Sequence, residues 1–128
     1  SNQQFIYSLR RMLDPIKEHV DNNFNPLPAE YTKEFAPVRQ KINDLMRMSC
    51  EQIETSRYEN YHEILAEADA CKDELSVLRK KHIDRIQHLS DNSLMQISLV
   101  YLNVLQESQE FLSVMRHQLR AAKKFMEN

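Results

Sequence analysis

Glycine is absent from this chain of 128 residues, although average usage near 7% would supply about nine. The turns of tight β-hairpins favour residues with positive φ, which are usually glycines. The loops of P-loop and dinucleotide-binding folds also need glycine, because their backbone must approach a phosphate closely. The missing residue type therefore predicts an all-α protein and argues against both of these phosphate-binding devices.

Apolar side chains recur every three or four positions in four stretches, which is the period of an amphipathic helix. The third stretch covers residues 58–89 and the fourth runs to about residue 125. Between them, residues 90–93 (Ser-Asp-Asn-Ser) can end one helix and cap the next. Long amphipathic helices joined by short polar breaks fold back on one another. We therefore expect one domain over residues 1–128, an antiparallel three- to four-helix bundle with residues 38–126 as its main body.

Prolines predict two interruptions in the first part of the chain. The N-terminal helix, residues 1–24, contains Pro15, which removes a backbone donor; we expect a kink or a new helix start there, with Asp14 as its cap. Three further prolines and several asparagines follow. They predict a connection over residues 25–37 that contains about one helical turn.

Charge is unevenly distributed although the total is only −2, from 17 basic and 19 acidic residues. Residues 51–74 hold eight acidic and two basic side chains, whereas residues 116–124 hold four basic ones and no acid. Solvated helix faces with surface ion pairs explain this pattern; docking of a partner or an anionic membrane surface is the alternative. The small net charge gives no reason to expect nucleic acid as a partner.

Cysteine usage and hydropathy bear on the redox state of the thiols and on membrane-spanning segments. Cys50 and Cys71 lie far apart without a CxxC motif, so we expect two reduced, half-buried thiols rather than a disulfide. No apolar run approaches the roughly 18 residues that span a bilayer. The chain starts at Ser1-Asn2 instead of a methionine, which indicates either residues left over from cloning or an internal start. We expect the natural protein to extend upstream, where any membrane part would lie.

The chemistry-bearing residues form no catalytic motif. His62-Glu63 begins like the zinc-protease motif HExxH, but Ala66 stands where the second histidine is required. Glu59 and His62 form one ExxH unit, whereas di-iron bundles need two such units and two more glutamates. No serine lies in a nucleophile motif. His82 lies on the apolar stripe of its helix and is expected to be a partly buried, hydrogen-bonded core residue and not a ligand. We assign no catalytic residue.

Acidic side chains four residues apart share a helix face and can hold a cation between them. The sequence has five such pairs, where chance predicts about three. One of them is Asp69 and Asp73, and helical-wheel arithmetic places both well over about 100° from the centre of the apolar stripe. The pair is thus expected on the surface, either as part of a solvated face or as a metal site.

Three segments carry a likeness to a known family: DELSVLRKKH at 73–82, ISLVYLNVLQESQE at 97–110 and MRHQLRAAKKF at 115–125. Through them, residues 58–125 resemble the PhoU-like cytosolic domain at the C-terminal end of bacterial sodium/phosphate cotransporter family proteins. The resemblance implies a PhoU-type bundle on the cytoplasmic side of the bacterial inner membrane. It also implies that upstream transmembrane helices take up inorganic phosphate with sodium, while this domain regulates or docks.

The same resemblance implies a metal site. PhoU proteins bear an acidic E/D-x-x-x-D motif that binds metal on the bundle surface, and Asp69-Ala70-Cys71-Lys72-Asp73 has this spacing with Glu67 nearby. A divalent or iron-type metal ion is therefore expected at Asp69, Asp73 and Glu67. Only one convincing copy of the motif occurs here, whereas full PhoU proteins carry two bundles with one copy each.

Two functions follow from these observations. The first is a non-enzymatic regulatory domain of a phosphate transporter, whose partner is the transmembrane part of its own chain. The alternative is a bundle that mediates association, such as homodimer formation through apolar side chains on its flanks, without any link to phosphate transport. A metal-dependent enzyme is disfavoured, because the open-site set of histidine and carboxylate ligands is missing.

Overall fold

A computed structural model describes residues 2–127, of which about 90% are helical and none lies in a strand. The predicted all-α helical bundle is therefore confirmed. Its four helices are α1 (Asn2–Phe24), α2 (Ala29–Thr55), α3 (Tyr61–Gln87) and α4 (Asn92–Glu127). No helix among residues 2–127 is long and apolar enough to cross a membrane.

Consecutive helices run antiparallel and close into a ring, since α4 packs against both α3 and α1. The pairing of α1 with α4 shows the direction: Phe5 packs on Phe125 with ring centroids 5.1 Å apart, and His19 contacts Glu107. α2 and α4 run parallel and also touch across the bundle. We call the end with the starts of α1 and α3 the Phe5 end, and the opposite end the Phe24 end.

One continuous core fills the bundle from end to end, and it follows the predicted apolar stripes. The largest fully buried side chains come from all four helices: Leu9, Leu13, Phe35, Leu45, Ile53, Leu75, His82, Tyr101, Leu105, Leu112, Met115 and Leu119. Leu94, Ile97 and Phe125 belong to the predicted stripe of α4 but remain 46%, 38% and 56% exposed. α4 has 36 residues against 27 in α3, so its two ends have fewer neighbours to cover them.

The prolines interrupt the helices less than the sequence predicts. α1 is one helix through Pro15, so the expected new start with Asp14 as its cap is wrong. The expected connection over residues 25–37 is also too long: α2 begins at Ala29 and includes Pro37. Both prolines are exposed, so the carbonyls that lose a donor can bond to water. The cost of about 3 kcal/mol for an interior proline is then outweighed by the buried stripes on either side.

The remaining boundaries follow local capping chemistry. Asp91 Oδ1 accepts hydrogen bonds from the Ser93 backbone N–H at 2.9 Å and from the Ser93 hydroxyl at 2.7 Å, which confirms the predicted cap of α4. α2 ends at Thr55 and is capped by Ser56, whose φ of 56° and ψ of 26° lie in the left-handed region. Glycine usually occupies this position, and in a chain without glycine a serine takes it.

Candidate functional site

The densest group of polar side chains inside the bundle lies toward the Phe24 end, where α2, α3 and α4 meet. We call it the Glu34 cluster. α2 contributes two of its residues, α3 three and α4 two: Tyr31, Glu34, Lys81, His82, Arg85, Ser98 and Tyr101.

Glu34 is the centre of the cluster, and its carboxylate is only 14% exposed. Oε1 accepts hydrogen bonds from the Tyr101 hydroxyl at 2.7 Å and from Arg85 Nη1 at 3.1 Å. Oε2 accepts from Arg85 Nη2 at 2.5 Å and from Lys81 Nζ at 3.2 Å. Burial raises the pKa of Glu34, but the hydrogen bonds from Arg85, Tyr101 and Lys81 outweigh it and lower the pKa overall. The carboxylate therefore stays charged and joins α2 to both α3 and α4.

Three rings pack beside this ion pair. Tyr31 and Tyr101 stack with centroids 4.6 Å apart and an interplanar angle of 9°, and the His82 ring meets both edge-on, at 4.8 and 4.7 Å. The Tyr31 hydroxyl lies 3.1 Å from Ser98 Oγ. Arg85 also covers the Tyr31 ring, with Cζ 5.3 Å from its centroid. The aromatic rings of the Glu34 cluster thus pack directly against its charged groups.

His82 is a hydrogen-bonded core residue, as predicted, and it is fully instead of partly buried. Nε2 lies 2.7 Å from the Ser98 carbonyl oxygen; a carbonyl only accepts, so Nε2 carries the proton. Nδ1 is then the acceptor, and it faces Arg85 Nη1 at 3.4 Å. Burial lowers the pKa of His82, and the charge of Arg85 lowers it further. The imidazole is therefore neutral, with both nitrogens engaged.

The geometry gives the Glu34 cluster a structural role. Glu34 accepts four hydrogen bonds, and His82 has a partner at each ring nitrogen, so neither group is free to take a proton from a substrate. Sequence reasoning missed the cluster, although one signal was present. Glu30 and Glu34 form an acidic i, i+4 pair on α2, and Lys81 and Arg85 form a basic i, i+4 pair on α3. Two such pairs of opposite charge can form salt bridges when the two helices pack antiparallel.

The predicted metal ligands lie on α3, but not all on one face. Asp69 is exposed and pairs with Arg116 of α4, with Oδ1 3.1 Å from Nε and Oδ2 3.3 Å from Nη2. Asp73 is exposed one turn further along. Glu67 lies on the side of Lys41 of α2, whose pKa is raised by its hydrogen bond to Glu74 and, more weakly, by the charge of Glu67. At 100° per residue, the two positions that separate Glu67 from Asp69 place them on opposite sides of α3.

The structure therefore brings Asp69 and Asp73 together and does not bring Glu67 to them. Within residues 2–127, no group of three or more histidine, cysteine or acidic side chains is placed to hold a metal ion. Cys50 and Cys71 are free, and both are buried instead of half-buried as predicted. A cation at Asp69 and Asp73 stays a prediction, and it would have to compete with the Arg116 guanidinium for Asp69.

Known proteins give no further guide: no protein-family model, no curated protein and no solved structure matches this chain. The resemblance of residues 58–125 to PhoU-like domains therefore stays a prediction from the sequence.

Proposed function

We propose that this chain is a non-catalytic regulatory or docking domain of a sodium-dependent phosphate transporter, of the PhoU-like type. In this proposal the domain faces the cytoplasm and contacts the membrane part of its own protein. The membrane part moves inorganic phosphate, and the bundle transmits a signal to it. Asp69 and Asp73 are the residues that we propose for a surface metal ion.

The observation that carries the proposal is where the family-like segments lie. Residues 73–82 fall on α3, and residues 97–110 and 115–125 fall on α4. These two helices pack along their length as an antiparallel hairpin: Arg79 donates to Gln109 at 3.1 Å, and Asp69 pairs with Arg116. The hairpin supplies half of a bundle, which is the architecture that the resemblance implies.

The gene offers the first test. The proposal predicts that the reading frame encoding this chain also encodes several membrane-spanning helices before residue 1. A reading frame without such helices would contradict it. The purified domain should then sediment with membranes that contain the transporter's membrane part. With matched membranes that lack this part, the domain should remain in the supernatant. Binding to neither, or equally to both, counts against the proposal.

A second candidate function is association through apolar side chains. It is favoured by Leu94 and Ile97, which lie on the predicted apolar stripe of α4 but are 46% and 38% exposed near the Phe24 end. This candidate predicts a dimer in light scattering that a Leu94→Gln, Ile97→Gln variant converts to monomer. A domain that is monomeric at every accessible concentration would exclude it.

A further inference from the structure

A cleft of about 500 Å³ lies at the Phe5 end, between the start of α3 and the last turns of α4. Its wall on α3 is Tyr61, and its wall on α4 includes His117, Arg120, Lys123, Lys124 and Glu127. The volume is in the range of small-molecule pockets. Basic side chains therefore dominate a concave surface that neither the Glu34 cluster nor the predicted metal site uses.

Two of these cations have no partner among the residues that the structure describes. Lys123 pairs with Glu127 and lies over the Tyr61 ring, with Nζ 5.0 Å from its centroid. Within residues 2–127, Arg120 and Lys124 form no hydrogen bond and no ion pair. With His117 counted as neutral, three cations and one carboxylate leave the cleft lining with a charge of +2.

The acids of α3 do not neutralise this charge. Glu74 faces α2, where it pairs with Lys41 at 2.8 Å. Glu63 and Glu67 precede Glu74 by eleven and seven residues, which at 100° per residue returns them to within about 20° of the same face. Asp69 does face α4, but it is paired with Arg116. The lining of the cleft therefore keeps its charge of +2.

We propose that this cleft binds the phosphate-monoester group of an organic molecule, free or as a lipid headgroup. Such a group carries about −1.5 to −2 charge at pH 7, which matches the +2 of the lining. Arg120 can bond two phosphate oxygens with its planar guanidinium, and Lys124 supplies a point charge. The cleft is far larger than a phosphate ion, so it has room for the carbon part of the ligand beside Ala121.

The dipoles of α3 and α4 oppose each other at the cleft, so anion binding there depends mainly on the charged side chains. The positive end of the α3 dipole lies at Tyr61, which begins that helix, and the negative end of the α4 dipole lies at Glu127. Binding should therefore depend on Arg120 and Lys124, and it should weaken as salt screens their charges. This inference stands apart from the proposed function, because it uses only the cleft and its charges.

The experiment compares two double variants that lose the same charge. Arg120→Gln, Lys124→Gln removes the free cations of the cleft, and Lys33→Gln, Lys80→Gln removes two exposed lysines elsewhere. Circular dichroism verifies that each is folded. Glycerol 3-phosphate is titrated into the labelled domain and followed by NMR, and vesicles containing phosphatidic acid are compared with vesicles of phosphatidylcholine by cosedimentation.

We expect saturable shifts at Tyr61, Arg120 and Lys124 with glycerol 3-phosphate. The affinity should fall at least about tenfold in Arg120→Gln, Lys124→Gln and stay within about twofold in the control. Binding to phosphatidic acid vesicles alone, with the same dependence on the variants, identifies a lipid headgroup as the source. Absence of binding to both probes, or equal weakening in both variants, overturns the proposal.

Discussion

Replacing Glu34 by alanine should destabilise the bundle more than any other single change of an acidic residue. The substitution removes the acceptor of four hydrogen bonds from Tyr101, Arg85 and Lys81. It leaves the Arg85 guanidinium, which is 19% exposed, without its close carboxylate. The remaining acid near Arg85 is Glu30, with Oε1 3.8 Å from Nε.

The magnitude follows from the burial of this pair. Removal of one partner from a fully buried pair costs about 3–5 kcal/mol. Water still reaches part of Glu34 and Arg85, so we expect a loss of about 2–3 kcal/mol in the free energy of unfolding. For a domain of this size, that corresponds to a melting temperature lower by about 8–12 °C.

Urea unfolding at pH 7, followed by far-UV circular dichroism, measures this loss. Glu30→Ala is the matched control, because Glu30 is 70% exposed, and it should change the free energy of unfolding by less than about 0.5 kcal/mol. The double variant Glu34→Met, Arg85→Met should recover part of the loss, because it removes both charges. A loss below about 1 kcal/mol for Glu34→Ala, or the same loss for Glu30→Ala, would refute the role of the Glu34 cluster in joining α2 to α3 and α4.

Four further predictions concern His82, the core, the thiols and the acidic pair. Burial and the nearby Arg85 lower the pKa of His82 below 6.5, so on acidification the unfolded chain binds a proton that the native state does not. The free energy of unfolding should therefore fall as the pH drops from 6.5 toward 5, and it should fall less in His82→Gln. Leu105→Asp places a charge at a fully buried position and should cost more than about 3 kcal/mol in urea unfolding, whereas Gln106→Asp on the exposed face should stay within about 0.5 kcal/mol. Burial, with Glu74 and Glu67 nearby, raises the pKa of Cys71 to about 11, so iodoacetamide at pH 8 should label it only after denaturant is added. Elemental analysis of chelator-free protein should find manganese or iron in the parent and little in Asp69→Asn, Asp73→Asn; equal contents would remove these residues as ligands.

Sequence alone predicts the helices well where one periodic stripe decides the outcome. The absence of glycine predicted an all-α fold, the apolar stripes predicted the helices, and residues 90–93 predicted a helix cap. The structure confirms all three predictions. The start of α2 was missed because proline and asparagine argue locally for a loop. Tyr31 and Phe35, buried in the bundle, show that packing decides against that local preference.

The polar interior is harder to predict because its partners are distant in sequence. Glu34 meets Arg85 and Tyr101, which are 51 and 67 residues away, and that pairing depends on which helices become neighbours. The position of Glu67 relative to Asp69, in contrast, follows from helix geometry alone. Separating the ligands by their angle on the wheel would have restricted the predicted metal site to Asp69 and Asp73.

Phosphate uptake measures the proposed regulatory role most directly. The complete protein and a version lacking residues 1–128 would be produced in cells without other phosphate transporters, and sodium-dependent uptake would be followed at low and high external phosphate. We predict that the truncated protein still transports phosphate, and that its rate responds differently to the external concentration. Identical rates for the two proteins at both concentrations would contradict a regulatory domain.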